Sequence, residues 1–174
     1  LLGAIVFGIS LKRIDPLPLS HAPLHFEAQR AFDQMATLSK EFPNRTAPSD
    51  SRRRAALWLR SEFQKLGYSP KGMEFAEVID GVQHTDLENI YAEKKGSRFP
   101  DEILLVMGHY DITDTTVEGA MDDASGIGIM LELARVFSRE QPARTLIFLA
   151  TDSEEFGAFW GARAFVKNFE RADR

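Results

Sequence analysis

No cysteine occurs anywhere in the 174 residues, which excludes disulfide frameworks, thiolate metal sites and cysteine nucleophiles. Histidine is almost as scarce. His21, His25, His84 and His109 are the whole set, so a metal centre would have to rely on carboxylates more than on imidazoles. Basic charge is also short: 21 Lys and Arg against 26 Asp and Glu leave a net charge of −5. That argues against a general nucleic-acid binder, which needs a basic face to neutralise phosphates. Internal repeats and low-complexity tracts are lacking too. What remains is ordinary globular material, 44% hydrophobic and 27% charged, enough for one domain or part of a larger one.

The opening run LLGAIVFGISL (Leu1–Leu11) carries no charge and stops at Lys12-Arg13. It is shorter than the roughly 20 residues of a membrane helix. Because the chain begins inside this run without an initiator Met, residues 1–11 are expected to be the remnant of a membrane anchor or signal segment. Residues 12–25 contain Pro16, Pro18 and Pro23 and read as an extended linker. His21 and His25 belong to that linker, since Pro23 between them breaks any helical register.

The globular part starts at Phe26. Apolar spacing predicts a helix from Phe26 to Pro43, and a second one capped by Ser49 or Asp50 that stops at Gly67. Arg52-Arg53-Arg54 in the second helix is expected to form a solvated face. Strands are predicted at Tyr68–Val78, Leu87–Glu93, Glu102–Met107 and Thr145–Thr151, and helices at Ala124–Ser138 and Phe159–Phe169. The runs EILLVM and TLIFLAT are nearly all apolar, as strands buried on both faces would be. With a helix between them they make a βαβ unit, so the sheet should be at least partly parallel.

From Phe99 to Ala134 there is no Lys or Arg, while Asp101, Glu102, Asp111, Asp114, Glu118, Asp122, Asp123 and Glu132 all fall in this window. Like charges near a buried strand repel, and a bound cation would relieve the cost. His109 and Asp111 follow directly on one predicted buried strand, and Glu154 and Glu155 on the other. Asp122 and Asp123 precede the intervening helix. Ligand sites in open α/β sheets lie outside the carboxyl ends of the strands, so all six residues point to one rim. One His with several carboxylates suits zinc, manganese or cobalt. Two adjacent glutamates suit a division between metal binding and proton transfer.

In sequence order, GHYD, GAMDDASGIGIMLELARVF and RTLIFLATDSEEFGAFWGARAF resemble peptidase family M28, the zinc-dependent aminopeptidases. The resemblance covers Phe26 to Phe169, the N-terminal part of such a domain, so residues 26–174 read as that part. It implies a three-layer α/β/α fold with a mixed, mostly parallel central sheet, of the phosphorylase/hydrolase-like zinc peptidase type, here truncated. It implies two Zn2+ per complete site and a peptide or protein substrate. His109 would ligate one zinc, Asp122 would bridge the two, and Glu155 would ligate the second. Glu154 would be the catalytic base. Asp111 would sit behind the ligands and hold the imidazole in its ligating tautomer, with Asp123 beside it, and the Asp122–Asp123 peptide would be cis. The family's remaining ligands, an Asp and a His, lie downstream of the glutamate pair, and no residue up to Arg174 matches either. Gly157 follows Glu155 at the family's usual spacing of two, whereas Gly161 lies one position later than expected.

Two rivals are a glutaminyl-cyclase-like acyltransferase with a single zinc, in which the second Asp tends to be Ser, and a non-catalytic peptidase-like ectodomain. The intact Asp122-Asp123 favours the peptidase. The anchor-like start resembles membrane-tethered members, whose catalytic domains face the periplasm, the lumen or the outside.

Overall fold

The computed structural model describes residues 25–172. The expected anchor remnant at Leu1–Leu11, and the linker as far as Leu24, lie outside the described residues.

Helix α1 (Ala28–Glu41) turns Ala31 and Leu38 inward. Helix α2 (Asp50–Lys65) is capped by Ser49, whose side chain accepts the Arg52 N–H. Gly67 ends it, with a φ of 85° that favours glycine. A two-residue Asp80-Gly81 turn, with positive φ at both positions, joins β1 (Lys71–Ile79) to β2 (Val82–Lys94) as a hairpin. Then come β3 (Phe99–His109), α3 (Ser125–Ser138), β4 (Arg144–Thr151) and α4 (Trp160–Ala172).

The sheet order is β1-β2-β4-β3, and the layers follow from the alternation of β4. Leu146, Phe148 and Ala150 join the main core with Leu38, Ala55, Leu59, Phe63, Ile127 and Met130 of α1, α2 and α3. Ile147 and Leu149, one residue out of phase, pack with Phe165 of α4 on the opposite face. The result is the three-layer α/β/α arrangement with a mixed sheet. Among the described strands the parallel part is the β3–β4 pair, while β1–β2 and β2–β4 are antiparallel. The sheet is mixed as expected, but among the four described strands it is not mostly parallel: the βαβ unit gives the one parallel ladder, and the β1–β2 hairpin joins β4 through antiparallel ones.

Two local expectations need correcting. β3 was expected to be buried on both faces, but it lies at the end of the sheet, with Ile103, Leu104, Leu105 and Met107 between 40 and 55% exposed. An apolar run reports that a strand can be covered on both sides, and among the described residues β3 is buried only at Gly108 and His109 and partly at Val106. The Arg52-Arg53-Arg54 run is not uniformly solvated either. Arg52 is buried and ion-paired with Asp86 and Asp152, while Arg53 and Arg54 are exposed. Helical rotation of about 100° per residue separates neighbours that look alike in sequence.

Candidate metal centre

The parallel register aligns His109, the last residue of β3, with Thr151, the last residue of β4. Both strands therefore end at one rim, where α/β sheets place ligands. Past β4, Ser153 at a φ of 58° turns the chain and brings Glu154 and Glu155 back toward His109. Past β3, an irregular turn over Ala120–Ala124 carries Asp122 and Asp123 in non-helical conformation, and the peptide between them is cis.

Ligand atoms of His109, Asp122 and Glu155 all lie within 4.8 Å of one another. His109 Nε2 is 2.9 Å from Asp122 Oδ1 and 3.7 Å from Glu154 Oε2. Its other nitrogen, Nδ1, lies 3.3 Å from the Asp111 carbonyl oxygen and 3.6 Å from the Asp111 carboxylate. That carboxylate is fully buried and accepts the main-chain N–H groups of Glu154 and Glu155 instead. Asp123 accepts the His109 N–H at 3.1 Å through one oxygen and the Gly126 N–H at 2.9 Å through the other, joining the end of β3 to the start of α3. A Cβ on Gly108 would sit 2.7 Å from the Asp123 carboxylate, so this approach requires glycine.

The cluster is crowded with negative charge. Burial disfavours a protonated His109, yet Asp111, Glu154 and Asp122 outweigh it and raise the imidazole pKa to about 9. Glu155 is also raised, first by burial and then by Asp122, Asp111 and Glu154, with His109 opposing. Burial raises Asp123 too. One imidazole and two carboxylates converging from separate elements, in a site that favours any added positive charge, fit a divalent cation with open coordination positions.

Beneath the rim lies a network that the sequence did not disclose. Buried Asp152 receives the Arg52 guanidinium, the Glu88 N–H at 2.9 Å and the Tyr110 hydroxyl at 3.1 Å. Its own N–H donates to the Asn89 side chain at 3.0 Å, and Asn89 donates onward to the Gly161 carbonyl at 2.7 Å. Burial raises the Asp152 pKa while Arg52 opposes the rise. The only available hint was position, since Asp152 immediately precedes Ser153-Glu154-Glu155.

Residues 89–174 match the family model described as Peptidase family M28. They place the chain in peptidase family M28. All four members of the rim cluster, His109, Asp122, Glu154 and Glu155, fall inside the M28 stretch. A Pyrenophora tritici-repentis protein named "Probable zinc metalloprotease" is 30% identical over 135 residues, covering 68% of this chain and 31% of that protein. A "Vacuolar membrane protease" of Candida glabrata is 36% identical over 107 residues, covering 62% of this chain and 11% of that protein. The chain spans about a third or less of the length of these two relatives. Among solved structures, Fimbriiglobus ruber glutaminyl cyclase superposes with a TM-score of 0.76 at 20% identity, over 92% of this chain and 61% of that one. A leucine aminopeptidase precursor from Bacteroides thetaiotaomicron superposes at 0.66 with 21% identity, over 76% of this chain and 49% of that one. These two likenesses are likenesses of fold.

Proposed function

We propose that the chain is the N-terminal part of a zinc-dependent exopeptidase domain, of the aminopeptidase kind, with Glu154 as its general base. One observation carries the reading. The ligand atoms of His109, Asp122 and Glu155 share a space of 4.8 Å, and a Glu154 oxygen lies 3.7 Å from the same imidazole nitrogen. His109, Asp122 and Glu155 would hold the metal, with Asp122 shared between two ions and an Asp and a His from further along completing the set. When bound, zinc supplies the Lewis acidity that polarises a scissile carbonyl and acidifies water.

The chain's own residues do the rest. Glu154, with its side chain 29% exposed, accepts a proton from the attacking water and returns it to the leaving amine. Asp111 holds both glutamates in place through their N–H groups, and Asp123 holds the backbone of His109. Leu1–Leu11 would tether the domain to a membrane, with the site facing away from the cytoplasm. Among the described residues no helix is long and apolar enough to cross one.

The test is zinc titration followed by peptide hydrolysis on the full-length protein. Peptides with a free N-terminus should shorten from that end, and N-acetylated ones should not. Failure to take up zinc overturns the reading. The glutaminyl cyclase fold likeness supports a second outcome, in which an N-terminal glutamine peptide releases ammonia without shortening. The intact Asp122-Asp123 pair favours hydrolysis over it.

A further inference from the structure

Arg45 is fully buried in the loop after α1. Among the described residues its guanidinium donates only to main-chain carbonyls. Nε donates to the Tyr110 carbonyl at 2.6 Å, Nη1 to the Glu118 carbonyl and, at 3.5 Å, to that of Phe42, and Nη2 to the Gly119 carbonyl at 2.9 Å.

Those acceptors are informative. Tyr110 lies between His109 and Asp111 in sequence, and its N–H is bonded to the Thr151 carbonyl at the end of β4. Glu118 and Gly119 open the turn that carries Asp122, and the Gly119 carbonyl also accepts the Ala124 N–H at 3.2 Å, closing the turn around the Asp pair. Gly119 has a φ of 54°, and a Cβ there would meet the Asp122 carbonyl at 2.8 Å and Arg45 Nη2 at 3.0 Å. The neighbouring Asn44 N–H bonds the Val117 carbonyl at 2.8 Å, so the loop is joined to the turn twice. Burying a guanidinium is costly, which lowers its pKa to about 10 against the pull of Asp111. A planar fork with several donors can join two separate backbones in this way, whereas an ammonium cannot reproduce it.

We infer that Arg45 is a positioning residue. It fixes the distance between the His109 strand end and the Asp122 turn, and so pre-sets the spacing of two candidate metal-binding side chains by holding backbone beside them. The inference rests on the metal reading above and extends it to a residue 64 positions upstream of His109 in a different loop.

The experiment compares Arg45→Met, Arg45→Lys and Leu59→Ala, the last removing a fully buried α2 side chain from the main core. Three quantities are read: zinc affinity by chelator competition, hydrogen exchange of the 119–124 amides in metal-free protein, and the unfolding midpoint. Arg45→Met should weaken zinc binding about ten- to a hundredfold, the range typical of residues that support ligands from behind. It should also speed exchange at the turn. Arg45→Lys should recover much of the stability and little of the affinity. Leu59→Ala should lower the midpoint and leave affinity as in the wild type. Should Arg45→Met not fold, Arg45→Lys carries the comparison. Wild-type affinity in the Arg45 variants, or an equal loss in Leu59→Ala, overturns the assignment. If the unsubstituted protein takes up no zinc, the metal reading falls, and exchange alone decides Arg45: unchanged protection at the turn overturns its positioning role, and faster exchange upholds it.

Discussion

Asp111 accepts the main-chain N–H groups of Glu154 and Glu155, at 3.1 and 3.2 Å, so one buried carboxylate grips the backbone of both glutamates at once. It therefore links the end of β3 to the turn after β4, besides lying beside the His109 imidazole. Asp111→Asn keeps the shape but replaces one acceptor oxygen with an amide that faces an N–H group. Zinc affinity should fall about ten- to a hundredfold in a chelator competition. Unchanged affinity would mean that the turn holds its shape without Asp111.

The adjacent glutamates should respond differently in the full-length protein. Glu154→Gln should keep its zinc and lose turnover by about 10²–10⁴-fold, the usual contribution of a general base. Glu155→Gln should lower metal content instead, and excess zinc should partly restore it. Metal content and peptide hydrolysis measured across a zinc series check both. Metal loss in Glu154→Gln alone would exchange the two roles.

In metal-free protein His109 has a pKa of about 9, against roughly 6.5 for an unperturbed histidine. A raised pKa in the folded state contributes stability that is complete below about pH 6.5 and is lost as the pH climbs toward 9. Urea unfolding of the metal-free chain should weaken across that interval by up to about 3 kcal/mol. His109→Gln should flatten the decline. Zinc needs the neutral imidazole, so its affinity should rise over the same range. A profile identical in His109→Gln and wild type would refute the assignment.

Arg52 and Asp152 are both buried, with side chains 1% and 0% exposed. Asp152→Asn leaves the guanidinium without its buried counter-charge. Breaking such a pair from one side costs about 3–5 kcal/mol. Denaturant unfolding measures this directly, and a loss under about 1 kcal/mol would show that Asp86, part exposed, compensates alone.

β3 presents Leu104 55% exposed on an edge whose other side pairs with β4. An open apolar strand edge recruits further strands. The 174-residue chain should self-associate at high concentration, and Leu104→Lys should shift it toward monomer in sedimentation velocity. No change between the two would place the association elsewhere.

Much of this protein follows from local sequence. Caps and apolar runs place most helices and strands close to where they are found, because Ser49 and Gly67 act on their own immediate backbone. The Asp80-Gly81 turn, by contrast, is not among the expected elements, and β2 begins at Val82, ahead of the expected Leu87. The convergence of the candidate cluster was equally legible: a His at one strand end and paired glutamates after another come together once the strands run parallel. Tertiary structure alone decided the partners. Asp111 reaches N–H groups 43 and 44 residues away, Arg52 reaches Asp152 across 100, and Arg45 reaches carbonyls across 65 to 74. A main-chain acceptor carries no residue identity, so its arginine leaves no motif to read. Burial of a strand such as β3 likewise depends on what packs against it, which its own composition cannot specify.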